Sequence, residues 1–369
     1  MTTKPLRTEP EQRLQSLDVL RGFDMFWITG GGYLFTVIAK MTGATWLENT
    51  LEHAEWAGFH FEDLIFPLFM FIAGVAIPFS VGSKLDKNIP KKKLFWKVFK
   101  RMVILIVLGI LYNGTFQHGF ENGRIASVLG QIGIGYFFAA VIYLYFPKLK
   151  SRLFWLAGIL VGFGIIQLLI PVPGVGAGVL TPEGCINGYI DRLLLPGRLH
   201  GGVFDPEGIM CSLSATGVTM MGSIAGNILK KKQSGWQKIG QMAAIGAGLI
   251  VLALVLSTFY PIIKKCWTST FNILTGGIGF MMMALFFLII DHWKIRGWSN
   301  YFRIIGMNSI FIYLFTRIID VQHVTEFFVG WLAKPMGEAA GQLFLIVSGL
   351  ALVWLLLYYM YKKKIFLRV

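Results

Sequence analysis

One candidate for chemistry is a histidine that stands shortly before an aspartate. His53 lies in the run His53-Ala-Glu-Trp56-Ala-Gly58, and Asp63 opens the apolar run Asp63-Leu-Ile-Phe-Pro67. A nearby carboxylate fixes the tautomer of an imidazole and stabilises its protonated form, which suits the ring to acid–base or nucleophilic chemistry. The spacing leaves open that His53 is a solvated loop residue and that Asp63 only caps its helix. The other histidines have weaker contexts and are interpreted as surface residues: His60, His118, His200, His292 and His323.

A second candidate is a group of charges inside the first apolar segment. Asp18, Arg21 and Asp24 follow one another at three-residue spacing, which predicts one helical face. Charges within a membrane span usually face a bundle interior or a wet cavity and mark a functional site. The alternative is a self-neutralising structural cluster near the membrane interface. The triplet 30–32 that follows is all glycine, which predicts a helix break or the close approach of another helix or a ligand.

Two further polar groups lie at or within apolar segments. In Phe204-Asp-Pro-Glu-Gly, the order of residues is typical of a helix start, with Asp205 as N-cap. The alternative is that Asp205 and Glu207 bind the amine or hydroxyls of a sugar. Asn308 and Ser309 lie inside an apolar segment, where they either bond to neighbouring helices or contact a ligand.

The elements that position these residues follow from composition. The chain has 369 residues, 55% hydrophobic and only 14% charged, with a mean hydropathy of +0.64. A soluble chain would carry about a quarter charged residues. Its apolar runs approach the length that crosses a bilayer, where the backbone must form helices to satisfy its own hydrogen bonds. We therefore predict an all-α, polytopic integral membrane bundle forming a single domain, 1–369. About ten transmembrane helices are expected, at 17–39, 63–83, 98–113, 124–146, 153–172, 207–229, 239–260, 268–290, 301–319 and 341–361.

The distribution of basic residues predicts the orientation of the bundle. Of the 34 Lys and Arg residues, 25 lie on one side of the predicted spans and 7 on the other, with Arg21 and Arg317 inside spans. The positive-inside rule then makes both termini cytoplasmic, which agrees with an even number of helices. The main extracytoplasmic loop is 173–206. Because the net charge of +15 comes from these short clusters, nucleic-acid binding is not expected.

Two smaller expectations concern cysteines and the N-terminus. The three cysteines form no metal-binding spacing, and no metal is expected. Cys185 and Cys266 both fall on the predicted outer side, and whether they pair is left open. The first sixteen residues are polar and contain no signal-peptide pattern, so we expect the first helix to be retained as an anchor.

Five motifs, in order along most of the chain, resemble those of the heparan-α-glucosaminide N-acetyltransferase family and its bacterial relatives. They are Ser16-Leu-Asp-Val-Leu-Arg-Gly, His53-x-x-Trp-x-Gly with Asp63-Leu-x-Phe-Pro, Asn122-Gly-Arg-Ile-x-x-Val-Leu-Gly-Gln, Phe204-Asp-Pro-Glu-Gly, and Gly306-Met-Asn-Ser-Ile. The sequence departs from the family where Ile132 follows Gln131, a position at which the family generally has arginine. The gap between the glycine triplet and His53 is also longer, and we expect no large N-terminal luminal domain.

The resemblance implies a transmembrane enzyme that moves acetyl groups from cytosolic acetyl-CoA to a glucosamine-type amino sugar or glycan outside the membrane. The residue matching the family's acetyl-transfer histidine is His53, with Asp63 as its partner. For acetyl-CoA we predict contacts from Arg21, Arg124 and Gln131, and for the acceptor contacts from Asp205, Glu207 and Asn308. A bacterial inner (plasma) membrane location is expected, multi-pass in the lipid bilayer, and a homodimer is left open.

Two other function classes remain open on the sequence. A membrane transporter or channel would use the Asp18, Arg21 and Asp24 cluster as an ion or proton relay. A structural subunit of a polysaccharide-export complex would use none of these residues chemically. No internal repeat supports an inverted-repeat transporter.

Overall fold

The computed structural model describes residues 14–115, 119 and 122–367. His118 lies outside these residues. The described part is helical, with two isolated β-bridges and no extended strand. The α-helices are α1 Gln15–Phe26, α2 Gly32–Thr42, α3 Thr45–Leu51, α4 Phe61–Val75, α5 Ser83–Asp86, α6 Lys91–Tyr112, α7 Val128–Tyr145, α8 Leu149–Leu169, α9 Ile186–Leu194, α10 Ile209–Ser214, α11 Thr216–Lys230, α12 Gly235–Leu256, α13 Ser269–Phe286, α14 Ser299–Met307, α15 Ser309–Ile318, α16 Val321–Ala333 and α17 Glu338–Lys362.

Seven helical segments among the described residues are long and apolar enough to cross a bilayer. They are Phe61–Asp86, Val128–Tyr145, Leu149–Leu169, Ile209–Lys230, Gly235–Leu256, Ser269–His292 and Glu338–Lys362. The chain is thus an all-α, multi-pass membrane protein, as predicted. The remaining three predicted spans fall on α1 with α2, on α6, and on α14 with α15, which are interrupted or more polar. The total of ten spans and the side of the termini stay predictions.

The core of the bundle is built around α4 and α11, which pack against each other. Along the span Ile209–Lys230, 89% of the most apolar window is buried, against 17% for Leu149–Leu169 and 22% for Gly235–Leu256. Such burial differences separate helices inside the bundle from helices whose apolar side chains face lipid. α7 and α13 also pack against α4, while α6 packs on α7 and α12 on α13.

The predicted break at the glycine triplet is confirmed. Between α1 and α2 the chain forms a π-helical turn, Trp27–Gly31, in which Gly30 has a φ of +129°. This backbone conformation is open to glycine and strained for other residues. π-Helical turns inside helices often accompany functional sites. The turn lies beside the cavity that contains His53, described below.

Close approach of backbones fixes α1 against α14. A Cβ atom on Gly22 would lie 1.7 Å from the carbonyl oxygen of Phe302, and one on Gly306 would lie 2.0 Å from the carbonyl oxygen of Asp18. Only glycine fits at either position. This contact brings the charged face of α1 to the start of the helix pair α14 and α15.

The predicted helix start at Asp205 is wrong. The helix begins at Ile209, with Gly208 as its N-cap. Asp191 of α9 accepts a hydrogen bond from the Ile209 N–H at 3.0 Å, so the cap comes from a different helix. Asp205 is engaged elsewhere, as described below.

Cys185 and Cys266 lie in one buried cluster with Phe204 and Ile263. Both thiols are free, and a hydrogen bond from the Cys266 side chain lowers the pKa of Cys185 to about 7. The cluster holds the loop before α13 against α9.

Candidate active site

His53 and Asp63 form a hydrogen-bonded pair. The Nδ1 atom of His53 lies 2.9 Å from Oδ1 of Asp63, which is 1% exposed, whereas the side chain of His53 is 54% exposed. A proton on Nδ1 can therefore be held by the buried carboxylate. That tautomer leaves Nε2 with its lone pair free, as a general base or a nucleophile requires.

The local sequence explains how the pair is built. Asp63 occupies the first turn of α4, and its Oδ2 accepts hydrogen bonds from the backbone N–H of His60 at 3.1 Å and of Ala54 at 3.2 Å. These bonds make Asp63 both a helix cap and the anchor of the preceding loop. The Nδ1 atom of His60 contacts the carbonyl oxygen of Glu52 at 2.9 Å, which closes that loop. Asp63 is therefore both a helix cap and the hydrogen-bond partner of His53.

Lys264 is a third member of this group, and the sequence analysis did not single it out. Its Nζ lies 3.4 Å from Oδ1 of Asp63 and 3.2 Å from Nδ1 of His53. Burial lowers the pKa of Lys264, and the charge of Asp63 opposes that change. A basic pair at 264–265 on a side otherwise poor in basic residues was the available signal.

His53 and Lys264 line a cavity of about 200 Å³, which we call the His53 cavity. Its polar lining residues are His53, Glu62, Glu207, Lys264 and Ser309. Its apolar wall comes from α1, α4, α7 and α15: Met25, Ile28, Ile65, Phe66, Phe69, Val128, Leu129, Ile132, Ile310 and Tyr313. A concave, mostly apolar site with a few convergent polar groups is the usual form of a small-molecule site.

Arg124, Asp205 and Glu207 form an ion cluster at the same end of the bundle. Arg124 donates from Nε to Oδ2 of Asp205 at 2.8 Å and pairs with the carboxylate of Glu207. Asp205 is fully buried and also accepts the N–H of His200 at 3.0 Å. Burial raises the pKa of Glu207 and the charge of Arg124 opposes that rise, while these carboxylates raise the pKa of Arg124 against the effect of its burial. Because Glu207 also lines the His53 cavity, this ion cluster reaches the cavity wall.

Two more cavities lie next to one another in the bundle, and the first of them shares wall residues with the His53 cavity. The Arg21 cavity, about 240 Å³, shares Phe69, Leu129, Ile132, Ser309 and Ile310 with the His53 cavity. Its polar lining includes Arg21, which pairs with Asp18 at 3.6 Å, and Arg101. The Lys97 cavity, about 480 Å³, shares Ser80 and Arg101 with the Arg21 cavity and adds Lys84, Lys97 and Lys100. The three cavities follow one another from the His53 end to the basic end of the bundle.

The structure does not bring the predicted acetyl-CoA residues into one group. Arg21 lines the middle cavity, whereas Arg124 lies in the ion cluster at the His53 end. Gln131 is 1% exposed, and its Nε2 donates to the carbonyl oxygen of Cys211 at 3.3 Å. Arg21 alone among the three lines one of these cavities.

The predicted acceptor residues also separate. Asp205 and Glu207 lie together, but Asn308 separates α14 from α15 and bonds the C-terminal segment. Its Nδ2 donates to the carbonyl oxygen of Ile365 at 3.1 Å, and its Oδ1 accepts the N–H of Leu367 at 3.0 Å. These contacts favour the interpretation of Asn308 as a structural residue.

No family model matches the chain. It is 28% identical to the heparan-alpha-glucosaminide N-acetyltransferase of Mus musculus over 98% of this chain and 62% of that protein. It is 29% identical to the protein of the same name from Homo sapiens over 97% of this chain and 60% of that protein. The chain therefore spans less than two thirds of the length of these relatives. The similarity confirms a distant family relationship, as the five motifs indicated.

Proposed function

We propose that the protein is a transmembrane acetyltransferase that moves an acetyl group from acetyl-CoA to the amine of a glucosamine-type sugar. The observation that carries the proposal is the His53–Asp63 pair at the end of a series of cavities that leads to a strongly basic cavity. An acyl-transfer site needs a general base or a nucleophile. The nucleotide of acetyl-CoA is anionic and far from the thioester, so the site also needs cations at a distance from that base. The distant relationship to named acetyltransferases supports the same conclusion.

In this proposal acetyl-CoA enters from the basic end, which the charge distribution predicts to be cytoplasmic. The nucleotide phosphates bind among Lys84, Lys97 and Lys100, since ammonium groups attract phosphate strongly. The pantetheine arm passes Arg101 and Arg21 through the middle cavity. The thioester then reaches the His53 cavity, whose apolar wall excludes water from the acyl group.

Two chemical routes are available to His53. In one, Nε2 attacks the thioester carbon and forms an acetyl-imidazole, which the acceptor amine then attacks. In the other, Nε2 takes a proton from the amine while the amine attacks the thioester directly. Asp63 holds Nδ1–H in both, and it stabilises the positive charge that the ring acquires.

The proposal is tested with purified full-length protein, acetyl-CoA and glucosamine. We expect glucosamine to cause the release of free CoA thiol and the formation of N-acetylglucosamine. The His53→Ala variant should lose nearly all transfer while still binding acetyl-CoA. His323→Ala is the control, because the side chain of His323 is exposed on α16 and lies outside the cavity lining. No thiol release by the parent, or transfer by His53→Ala within a few-fold of the parent, would overturn the proposal.

A further inference from the structure

Glu62 is adjacent to Asp63 in the chain, but its side chain has different surroundings. Asp63 is committed to His53, to Lys264 and to two backbone N–H groups, whereas Glu62 lines the His53 cavity. The Oε2 atom of Glu62 is buried and has no hydrogen-bond partner among the described residues. A buried polar atom without a partner destabilises the folded protein, because it has lost its hydrogen bonds to water. Such an atom in a cavity wall therefore marks a place where a ligand can supply the missing donor.

A second acid without a hydrogen-bond partner lies close to Glu62. Asp24 is fully buried, and neither of its carboxyl oxygens has a partner in the described part of the chain. Asp24 is close enough to Glu62 for the two groups to interact electrostatically. The indole N–H of Trp27, in the π-helical turn that follows Asp24, likewise has no acceptor among the described residues. The group around Glu62 therefore has more unpartnered acceptor oxygens than donors, and it favours a cationic ligand group beside Glu62.

The other charged groups of the cavity lining do not offer this. Glu207 is paired with Arg124, and Lys264 contributes a positive charge beside His53. A protonated amine is repelled by Lys264 and attracted by Glu62. The charges of the cavity therefore orient an amine acceptor toward the Glu62 wall.

Resting on the proposed function, we propose that Glu62 binds the acceptor as an ammonium and takes its first proton, with Asp24 as a buried acid that adds to the negative potential around Glu62. A protonated amine has no lone pair with which to attack an acyl carbon. In direct transfer, one N–H proton passes to Glu62, the N–C bond to the acetyl carbon forms and the C–S bond breaks. His53 carries the second N–H proton to the CoA sulfur, so that the products are amide, CoA thiol and one proton on Glu62. The acceptor class is a primary amine that is cationic near neutral pH.

The first test compares two nucleophiles on Glu62→Gln, an isosteric variant. Glucosamine must lose a proton before it attacks, whereas hydroxylamine is already neutral near neutral pH. We expect kcat/KM for glucosamine to fall about a hundredfold, the scale of general acid–base contributions, and kcat/KM for hydroxylamine to change little. The remaining glucosamine activity should rise steeply with pH, as the free amine becomes abundant. Glu55→Gln removes an exposed carboxylate from the preceding loop and should match the parent.

The second test measures binding without turnover. Calorimetry with CoA bound compares glucosamine with N-acetylglucosamine, which has no cationic amine. Glu62→Gln should weaken glucosamine binding at least tenfold and leave N-acetylglucosamine unchanged, and Asp24→Asn should weaken glucosamine in the same direction. Equal losses for both nucleophiles, or unchanged glucosamine binding, would overturn the assignment of Glu62. A parent that binds glucosamine through Glu62 but releases no CoA thiol would instead overturn the proposed function alone.

Discussion

The carboxylate of Asp63 carries more contacts than a helix cap needs. It holds Nδ1 of His53, two backbone N–H groups and the ammonium of Lys264. In the proposed reaction we therefore assign Asp63 to orientation and charge, not to direct proton exchange with the acceptor. The position of His53 depends on the same bonds, because they fold its loop back toward α4.

Replacing Asp63 with asparagine should keep the shape of this site and remove its charge. The amide can still accept one hydrogen bond, but it no longer stabilises a positive imidazole. We expect transfer to fall on the order of a hundredfold with acetyl-CoA affinity nearly unchanged. Steady-state kinetics and calorimetry with acetyl-CoA measure the two effects. A loss as complete as that of His53→Ala, with the variant still folded, would make Asp63 more than an orienting group.

Asp191 permits a prediction about stability and pH. It is fully buried, and burial raises its pKa from 3.8 to about 7. The folded protein thus keeps this proton over a pH range in which the unfolded chain has lost it. Its contribution to stability is complete below pH 3.8 and declines as the pH rises toward about 7, by no more than about 4 kcal/mol.

Asp191→Asn removes this titration while retaining an acceptor for the N–H of Ile209. The variant should melt at a higher temperature than the parent above neutral pH, and the difference should shrink toward acidic pH. Thermal unfolding in detergent across this pH range measures it. Asp320→Asn, at an exposed helix cap, is the control for loss of a carboxylate. A pH-independent difference between Asp191→Asn and the parent would contradict the prediction.

The residues that the sequence predicted best are those close together in the chain. His53 and Asp63 are separated by ten positions, so a short loop and a helix start bring them together. Lys264 comes from 211 positions away, and only tertiary packing shows that it joins them. Asp24 was grouped with Asp18 by spacing, but six residues of α-helix rotate a side chain about 120° from the starting face. In the structure Arg21 pairs with Asp18, whereas neither carboxyl oxygen of Asp24 has a hydrogen-bond partner among the described residues.

At the level of helices, apolar runs predicted the spans, and glycines determined how those spans meet. The glycine triplet correctly predicted a break, because glycine is costly in a helix without a reason. The helix start at Asp205 was mispredicted because Asp191, in another helix, caps Ile209. A sequence that locally favours an N-cap can thus form a loop instead, when a residue from another helix caps the helix.

The contact between α1 and α14 should depend on Gly22. A methyl group there would meet the Phe302 carbonyl oxygen at 1.7 Å, and a backbone atom cannot move aside as a side chain can. Gly22→Ala should therefore lower the free energy of unfolding by about 1–3 kcal/mol or more. Thermal unfolding and the yield of monodisperse protein measure the effect. Gly158→Ala in α8 is the matched control, since nothing lies within 4 Å of its added methyl group, and it should be neutral or slightly stabilising. Similar melting of the two variants would show that α1 and α14 do not pack as described.

Across the whole molecule, function depends on which ends of the bundle face which compartment. The His53 end includes the long loop 173–206, because the indole N–H of Trp56 donates to the carbonyl oxygen of Leu180 at 2.6 Å. The opposite end includes Lys84, Lys97 and Lys100 around one cavity. The basic-residue distribution predicts that this second end is cytoplasmic, where acetyl-CoA is made available. Transfer across the membrane requires the two ends to lie on opposite sides.

Labelling of single introduced cysteines with a membrane-impermeant maleimide tests this arrangement. Val175→Cys lies in the long loop, Lys92→Cys in the basic segment and Lys364→Cys near the C-terminus, and all three positions are exposed. In intact cells we expect labelling of Val175→Cys only, and of the other two after permeabilisation, since positive residues are retained on the cytoplasmic side. The parent protein controls for background, because its three cysteines are buried. Labelling of Lys92→Cys together with Val175→Cys in intact cells would put the Lys97 cavity and the His53 cavity on one side of the membrane. Transfer from cytosolic acetyl-CoA through the series of cavities would then be ruled out, even with His53 still active.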